Sequence, residues 1–361
     1  KLFRKLDEGD NPEEEMLRRL TENGFTHAPK LLGTLEYRRG MERIVLGLME
    51  EYIHCEAGAM AYFSDQFQIF IERAMTDQVP GAPRGGVIEL DGELPKKVRE
   101  LFGTPLQYAR LLGGRAGDLH MSLASAEFGE FVPEPFTDFY RQSIYHGFLG
   151  TLGRTMEFLR GHLDHVPENL RGPAEQLLGA EGQLRSVLRP LRETRVHSTR
   201  IRLHGDLHLD QVLFTGKDFV FIDFEGDPSR PASERRIKSS PARDLAAMVW
   251  SFYYSSHAPF HRHAAGATAM MESAANRERV QAWAELWAHW MGTEFLRSYR
   301  ACTKNSRLLP PEGPELSLLL NCYLIDRACK ELNFNLVQSS GWMSIPIEGL
   351  LRMVRGGGVG A

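Results

Sequence analysis

Residues 201–227 constrain this chain more than any other stretch. Arg200 to His204 is expected as a short strand leading into His204-Gly205-Asp206. Gln211 to Phe214 reads as a second strand, Gly216-Lys217-Asp218 as a turn, and Phe219 to Ile222 as a third strand that runs into Asp223. Short apolar strands bounded by turn residues hold the polar residues at their ends in fixed positions.

Three polar residues occupy those ends: Asp206 after His-Gly, Gln211 five positions later, and Asp223 where the apolar run stops. Protein kinases use His-Arg-Asp, an Asn at the same offset, and Asp-Phe-Gly. Here the string is His-Gly-Asp, Gln and Asp-Phe-Glu. Phosphoryl transfer explains these residue types. One carboxylate, Asp206, sits by the acceptor hydroxyl to orient it and take its proton. Gln211 and Asp223 supply the hard oxygen ligands that Mg²⁺ prefers, against the phosphates of ATP. A hairpin with polar ends by chance is the competing reading. A lone His-Gly-Asp would fit it; three parts at this spacing on the right elements do not.

His204-Gly205-Asp206-Leu207-His208-Leu209 with Gln211-Val212-Leu213, then Asp223-Phe224-Glu225-Gly226, then Ser240-Pro241-Ala242-Arg243-Asp244-Leu245-Ala246, resembles the bacterial maltokinases and their actinobacterial glucosamine kinase branch. These are kinase-like enzymes of the aminoglycoside-phosphotransferase type. The resemblance runs over nearly the whole chain. It implies an α+β, bilobal, protein-kinase-like fold: a small β-rich N-lobe over residues 1–53 and a larger helical C-lobe over residues 54–361.

The N-lobe expectations follow from that. Lys1 to Leu6 reads as a strand, and Asn11-Pro12 opens a helix with Glu13, Glu14 and Glu15 in its first turn, where the helix dipole favours them. The resemblance makes Lys1 the phosphate-contacting lysine and Glu15 its partner; without it, both read as solvated charges. Strands are expected at 31–38 and 43–53, joined at Arg39-Gly40. Glu50, Glu51, Tyr52 and Ile53 fall where a kinase hinge meets adenine through its backbone. Such a lobe needs two strands and a glycine-rich turn before the lysine, so the natural chain is expected to start upstream of Lys1.

Helices are expected over 56–80, 105–125, 137–162 and 174–192, with a loop at 80–86 and a small element around Asp91-Gly92. His120, on an apolar helix face, is read chiefly as a core residue and secondarily as lining the sugar site. The basic run Arg185 to Arg195 alternates with Leu and reads as a solvated face. Asp244 is expected to brace the catalytic loop, and the Trp283, Trp287, Trp290 stripe to be core. On the helix expected at 316–338, residues 327, 330, 331, 334 and 335 share a face too polar for core. The resemblance places the sugar there, with Trp342 beyond. Two tyrosines of the maltokinase pattern are Lys330 and Phe334 here, so glucosamine is favoured over maltose, Glu331 taking the ammonium and Asn335 a ring hydroxyl.

The composition excludes other classes. A net charge of −4 gives no electrostatic footprint for nucleic acid, and no apolar run is long enough for a membrane span. Cys55, Cys302, Cys322 and Cys329 lack metal or disulfide spacing, which points to a reduced, cytoplasmic chain. A pseudokinase would typically lose Asp206 or Asp223. Maltose 1-phosphate synthesis and aminoglycoside phosphorylation remain the alternatives on the same fold.

Overall fold

The computed structural model describes residues 1–4, 6, 9–40, 42–75, 94–261, 273–311, 314–338 and 340–356. The loop expected at 80–86 and the element around Asp91-Gly92 lie outside them.

The N-terminal part is built on a hairpin. Strand β1 (Leu31–Arg39) pairs antiparallel with β2 (Glu42–Glu50), from Leu31 opposite Glu50 to Arg39 opposite Glu42. Lys1 to Phe3 lies along the other edge of β2, with Phe3 N donating to Leu46 O at 3.0 Å and Leu48 N to Lys1 O at 2.9 Å. Gly47 permits this approach: a Cβ there would stand 2.6 Å from the Lys1 carbonyl oxygen. Of the strand expected at Lys1–Leu6, this short pairing is what the described residues show. Helix α1 (Pro12–Glu22) packs against the hairpin through Met16, Leu17 and Leu20, all 1% exposed. Its start is set by the sequence. The Asn11 side chain accepts from the amides of Glu13 and Glu14, and Pro12 stands in the first turn, where its missing N–H costs nothing.

Residues 51–56 lead into the helical part. Strand β3 (Ala57–Gly58) runs into α2 (Ala59–Ala74), which is followed by α3 (Lys96–Phe102) and α4 (Thr104–Leu123). Strand β4 (Glu134–Pro135), α5 (Asp138–Gly161), α6 (Glu168–Gly179), α7 (Glu181–Leu188) and β5 (Thr199–Arg200) come next. The catalytic hairpin is β6 (Val212–Phe214) and β7 (Phe219–Phe221), and it joins β3 in a small sheet of order β3-β6-β7. After α8 (Ala232–Arg235) come the long helices α9 (Ala242–His261), α10 (Ala274–Cys302) and α11 (Pro314–Val337), then α12 (Ser344–Gly356). The single helix expected over 174–192 is two, broken at Ala180.

The core of the helical part is aromatic. Phe63, Phe67, Trp283, Trp287 and Phe295 are fully buried, and Phe70 lies between both tryptophans at 5.3 and 5.2 Å. The tryptophan stripe is core, as its helical spacing indicates. Helices α4 and α10 meet closely at Gly113, where a Cβ would stand 2.0 Å from the Phe295 carbonyl oxygen. Cys322 and Cys329 are buried and all four cysteines are free. Among the described residues no helix is long and apolar enough to cross a membrane.

Candidate active site

The strands of the catalytic hairpin are short, and hydrogen bonds fix what they leave free. Ile222 N donates to Gln211 O at 3.0 Å, and Gln211 N to His208 O at 2.9 Å, so Gln211 lies beside the residue preceding Asp223. His204 Nε2 donates to Ile222 O at 2.9 Å, which ties the approach to Asp206 to the approach to Asp223. Burial lowers the His204 pKa, against the pull of Asp244 and of this hydrogen bond, which favour the charged ring.

Gly205, at φ +83°, turns the chain between His204 and Asp206 in a conformation that favours glycine. Its peptide is clamped on both sides. Asp244 Oδ1 accepts from Gly205 N at 3.1 Å, and Arg243 Nη2 donates to Gly205 O at 2.9 Å. The bracing expected of Asp244 is therefore a direct contact. His120 stands behind it, wholly buried, with Nε2 at 3.3 Å from Asp244 Oδ2 and Nδ1 at 2.9 Å from the Tyr299 hydroxyl. That corrects the reading of His120 as lining the sugar site. Its partners are interior, and its contribution is to hold Asp244.

Asp206 itself is 19% exposed in its side chain. Oδ1 accepts from Arg327 Nη1 at 2.9 Å, and Oδ2 lies 3.4 Å from His208 Nε2. Burial alone would raise its pKa; the His208 hydrogen bond and the Arg327 charge outweigh burial and bring it down to about 2. Burial likewise opposes charge on His208, but hydrogen bonds to Asp206 and Asp210 raise its pKa to about 9. Asp206 is thus a carboxylate at every working pH, held between two cations.

Asp223 has φ +64° and is the only residue other than glycine with positive φ among the described residues. For a non-glycine residue this is strain, and it aims the carboxylate off the end of β7. Asp223 accepts a hydrogen bond from Lys1 Nζ. Lys1 Nζ also contacts Glu13, 2.9 Å from Oε1 and 2.7 Å from Oε2. Burial pulls the Lys1 pKa down, yet the charges and hydrogen bonds of Glu13 and Asp223 raise it overall, so the ammonium is kept. Glu225 Oε1 is 3.8 Å away.

The expected Lys1 partner, Glu15, is elsewhere. It accepts from Arg202 Nη2 at 3.1 Å and from Arg236 Nε at 2.8 Å. Glu13 takes the expected place because Met16, Leu17 and Leu20 fix the rotation of α1, which turns Glu13 inward at 1% exposure. Of the hinge candidates, Glu51 has its amide engaged by Lys30 O at 2.9 Å, and Tyr52 is 80% exposed. Glu50 lies within the electrostatic reach of Lys1. It is half-buried, Oε1 has no hydrogen-bond partner among the described residues, and burial raises its pKa against the pull of Lys1.

On α11, Arg327 spends Nη1 on Asp206 and Nη2 on Glu331 Oε1, the latter at 2.8 Å. Glu331 is thereby fixed one helical turn from the partner of Asp206. Lys330 pairs with Asp326 at 2.7 Å, and Phe334 is 61% exposed. Asn335 is buried, and its amide donates back to Glu331 O at 2.9 Å, so its side chain serves the helix rather than a ring hydroxyl. Trp342 stacks on Tyr254 of α9, with ring centroids 5.3 Å apart. Arg327, His208 and Glu13 stand in stretches that the sequence reading named, but it gave none of them a role in the site. A histidine two residues after Asp206 was the available signal for His208; nothing local distinguished the other two.

The site's donor set suits Mg²⁺. Asp223 and Gln211, whose backbones meet through the Ile222 amide, carry the hard oxygen donors that this ion prefers.

No protein-family model matches the chain. Over 49 residues it is 51% identical to a glucosamine kinase of Mycolicibacterium smegmatis, a match spanning 13% of this chain and only 12% of that relative's length. A solved glucosamine kinase in complex with glucosamine, ADP and inorganic phosphate superposes with a TM-score of 0.67 at 20% identity, covering 97% of this chain and 71% of that one. A second glucosamine kinase structure, crystal form B, gives 0.68 at 20% identity, covering 98% and 73%. The chain therefore has the fold of these kinases, α+β and bilobal, with a small strand-rich part and a large helical one.

Proposed function

We propose that this protein is a Mg²⁺-dependent kinase that transfers the γ-phosphoryl group of ATP to a hydroxyl of glucosamine, giving glucosamine 6-phosphate. Residues 1–53 form its smaller lobe and residues 54–361 its larger one, and it works in the cytoplasm. The observation that carries the reading is Arg327 bridging Asp206 and Glu331, which sets an acidic anchor at a fixed distance from the group that receives the acceptor hydroxyl.

Asp206 accepts the hydrogen bond of the sugar hydroxyl and so orients its oxygen toward the γ-phosphorus. With a pKa near 2 it is a weak base. It takes the proton only as the new P–O bond forms and the hydroxyl becomes acidic, while the bond to the ADP oxygen breaks. In a loose transition state this late transfer costs little, and positioning supplies most of the catalysis. Lys1, held by Glu13, meets the nucleotide phosphates. Asp223 and Gln211 would hold the metal, which neutralises charge on those phosphates.

Glu331 accepts from the sugar ammonium. A charge-assisted hydrogen bond contributes about 1.5–3 kcal/mol, or roughly 10- to 150-fold in kcat/KM for glucosamine over glucose. The test is ATP consumption by the whole purified protein with glucosamine, glucose, maltose and several aminoglycosides. Glucosamine should lead, and Glu331→Gln should shrink its advantage over glucose while leaving glucose turnover nearly unchanged. Maltose turnover equal to that of glucosamine, or a full ratio in the variant, overturns the substrate assignment.

A further inference from the structure

The segment that feeds the catalytic loop also forms part of a cavity of about 970 Å³. Residues 195–199 line it together with the end of α10 and the loop after it, residues 303–311. The two segments are tied by Thr199, whose amide donates to Arg307 O at 2.9 Å. The size suits a small organic ligand.

Its chemistry is one-sided. Arg195, Arg297, Arg300, Lys304 and Arg307 line it, and none of its described lining residues is acidic, in a chain whose net charge is −4. Arg297 directs one nitrogen to Glu294 at 2.8 Å. Glu315 answers part of this charge, accepting from the amide of the lining residue His197 at 3.0 Å, so Arg195, Lys304 and Arg307 carry the positive potential that an anion relieves. Guanidinium forks match the oxygens of a phosphate.

The cavity also touches the machinery. Leu308, between the lining residues Arg307 and Leu309, is 2% exposed and packs with Ile201 and Leu203 in a small cluster separate from the main core. Leu203 directly precedes His204. A ligand that grips Arg307 therefore loads the residue on which the catalytic strand rests.

We propose that this cavity binds a small phosphorylated ligand of sugar-phosphate size, carrying two or more negative charges, and that its occupancy acts on the Asp206 loop through Leu308. The site lies beyond the kinase reading, and its binding test does not depend on that reading.

The test is calorimetric titration of the whole protein with inorganic phosphate, pyrophosphate and ribose 5-phosphate, a sugar phosphate that is not the product of the proposed reaction. Saturating Mg-ADP is present to fill the nucleotide site, and glucose serves as an uncharged control. At least one phosphorylated probe should bind with Kd below about 1 mM. The Arg195→Gln/Lys304→Gln double variant should weaken it by at least about tenfold, the weight of one charge-assisted hydrogen bond. Both side chains are exposed, so the fold is not at risk, and an unchanged Tm without ligand checks this. No binding by any probe, or equal binding by the double variant, overturns the site. The same probe at saturation should change kcat in the native protein and leave the double variant unaffected; an unchanged kcat in the native protein overturns the transmission through Leu308.

Discussion

Replacing Asp206 by Asn should separate the two contributions of this carboxylate, to turnover and to stability. Its pKa stands at about 2 against an ordinary 3.8, because hydrogen bonding to His208 and the charge of Arg327 outweigh burial. At 1.36 kcal/mol per pH unit, a depression of this size corresponds to about 2 kcal/mol of stabilisation of the folded chain. A depressed folded value means that this stabilisation is fully present above about pH 4 and is lost as the pH falls toward 2. Asn has no such titration. The carboxylate's own share of the stability difference should therefore hold a constant value from pH 7 to pH 5, while the difference as a whole widens over that range because only the native protein keeps what Asp206 adds to the raised His208 pKa. Below that range the difference should narrow, with about half of the carboxylate's share gone near pH 3. Packing and the remaining Asn–Arg327 contact add an offset that does not move with pH. Urea unfolding at pH 7, 5, 4 and 3 measures the difference. At pH 7 the same variant should lose about 10²- to 10⁴-fold in kcat, the usual weight of a general base, while sugar binding is largely kept. A stability difference flat from pH 7 to pH 3 would refute the electrostatic account of Asp206, and near-normal turnover would remove it from catalysis.

Asp223→Ala and Gln211→Ala should each raise the Mg²⁺ concentration for half-maximal activity, Asp223→Ala more because it removes a charge; an unchanged Mg²⁺ titration in both contradicts the metal assignment. Glu13→Gln should raise KM for ATP by about tenfold or more, and Glu15→Gln should raise it less, since only Glu13 holds Lys1; steady-state kinetics in the reverse order would restore Glu15 as the partner. His208, with a pKa raised to about 9 by Asp206 and Asp210 against burial, stays cationic through neutral pH and loses its charge as the pH rises through 9. Removing one of its carboxylate partners in Asp210→Asn should move the alkaline limb of kcat to lower pH, and a pH–rate profile with the limb in place would show that His208 does not report there.

What the sequence revealed depended on distance along the chain. The catalytic hairpin was legible because phosphoryl transfer asks for particular residue types within a run of 27 residues, 201–227. The Asn11-Pro12 helix start and the tryptophan stripe were legible for the same local reason. Contacts across the chain were not. His120 meets Asp244 across 124 residues, and Arg327 meets Asp206 across 121. A histidine on an apolar face looks the same whether its partner is a buried carboxylate or a sugar. The mixed charges of α11 were rightly read as unlike core, yet the sequence could not say that Lys330 turns to Asp326 while Arg327 turns to Asp206. Among Glu13, Glu14 and Glu15 the resemblance chose Glu15, and the residues themselves offered no ground to choose otherwise. Neighbouring helical positions differ by about 100° in direction, and only the packing of α1 on its hairpin resolves them.

That packing gives the three glutamates three separate partners. Glu13 holds Lys1, on the edge of β2, beside Asp223. Glu14 accepts from Arg43 of β2, at 2.7 and 2.8 Å, and from Thr34 of β1 at 3.2 Å. Glu15 reaches the helical part, meeting Arg202, two residues before His204, and Arg236, in the segment after Asp223. One turn of one helix thus bonds to the Lys1 strand, the N-terminal hairpin, and the segments that lead to Asp206 and away from Asp223. Their placement at a helix N-terminus adds to this, because the dipole favours three negative charges that would otherwise repel. A shift of α1 by one residue would exchange these partners and part Lys1 from Asp223. The acidic run is therefore best understood as the joint that registers the nucleotide-facing strand against the loop carrying Asp206, which the solvated-charge reading of the same residues does not explain.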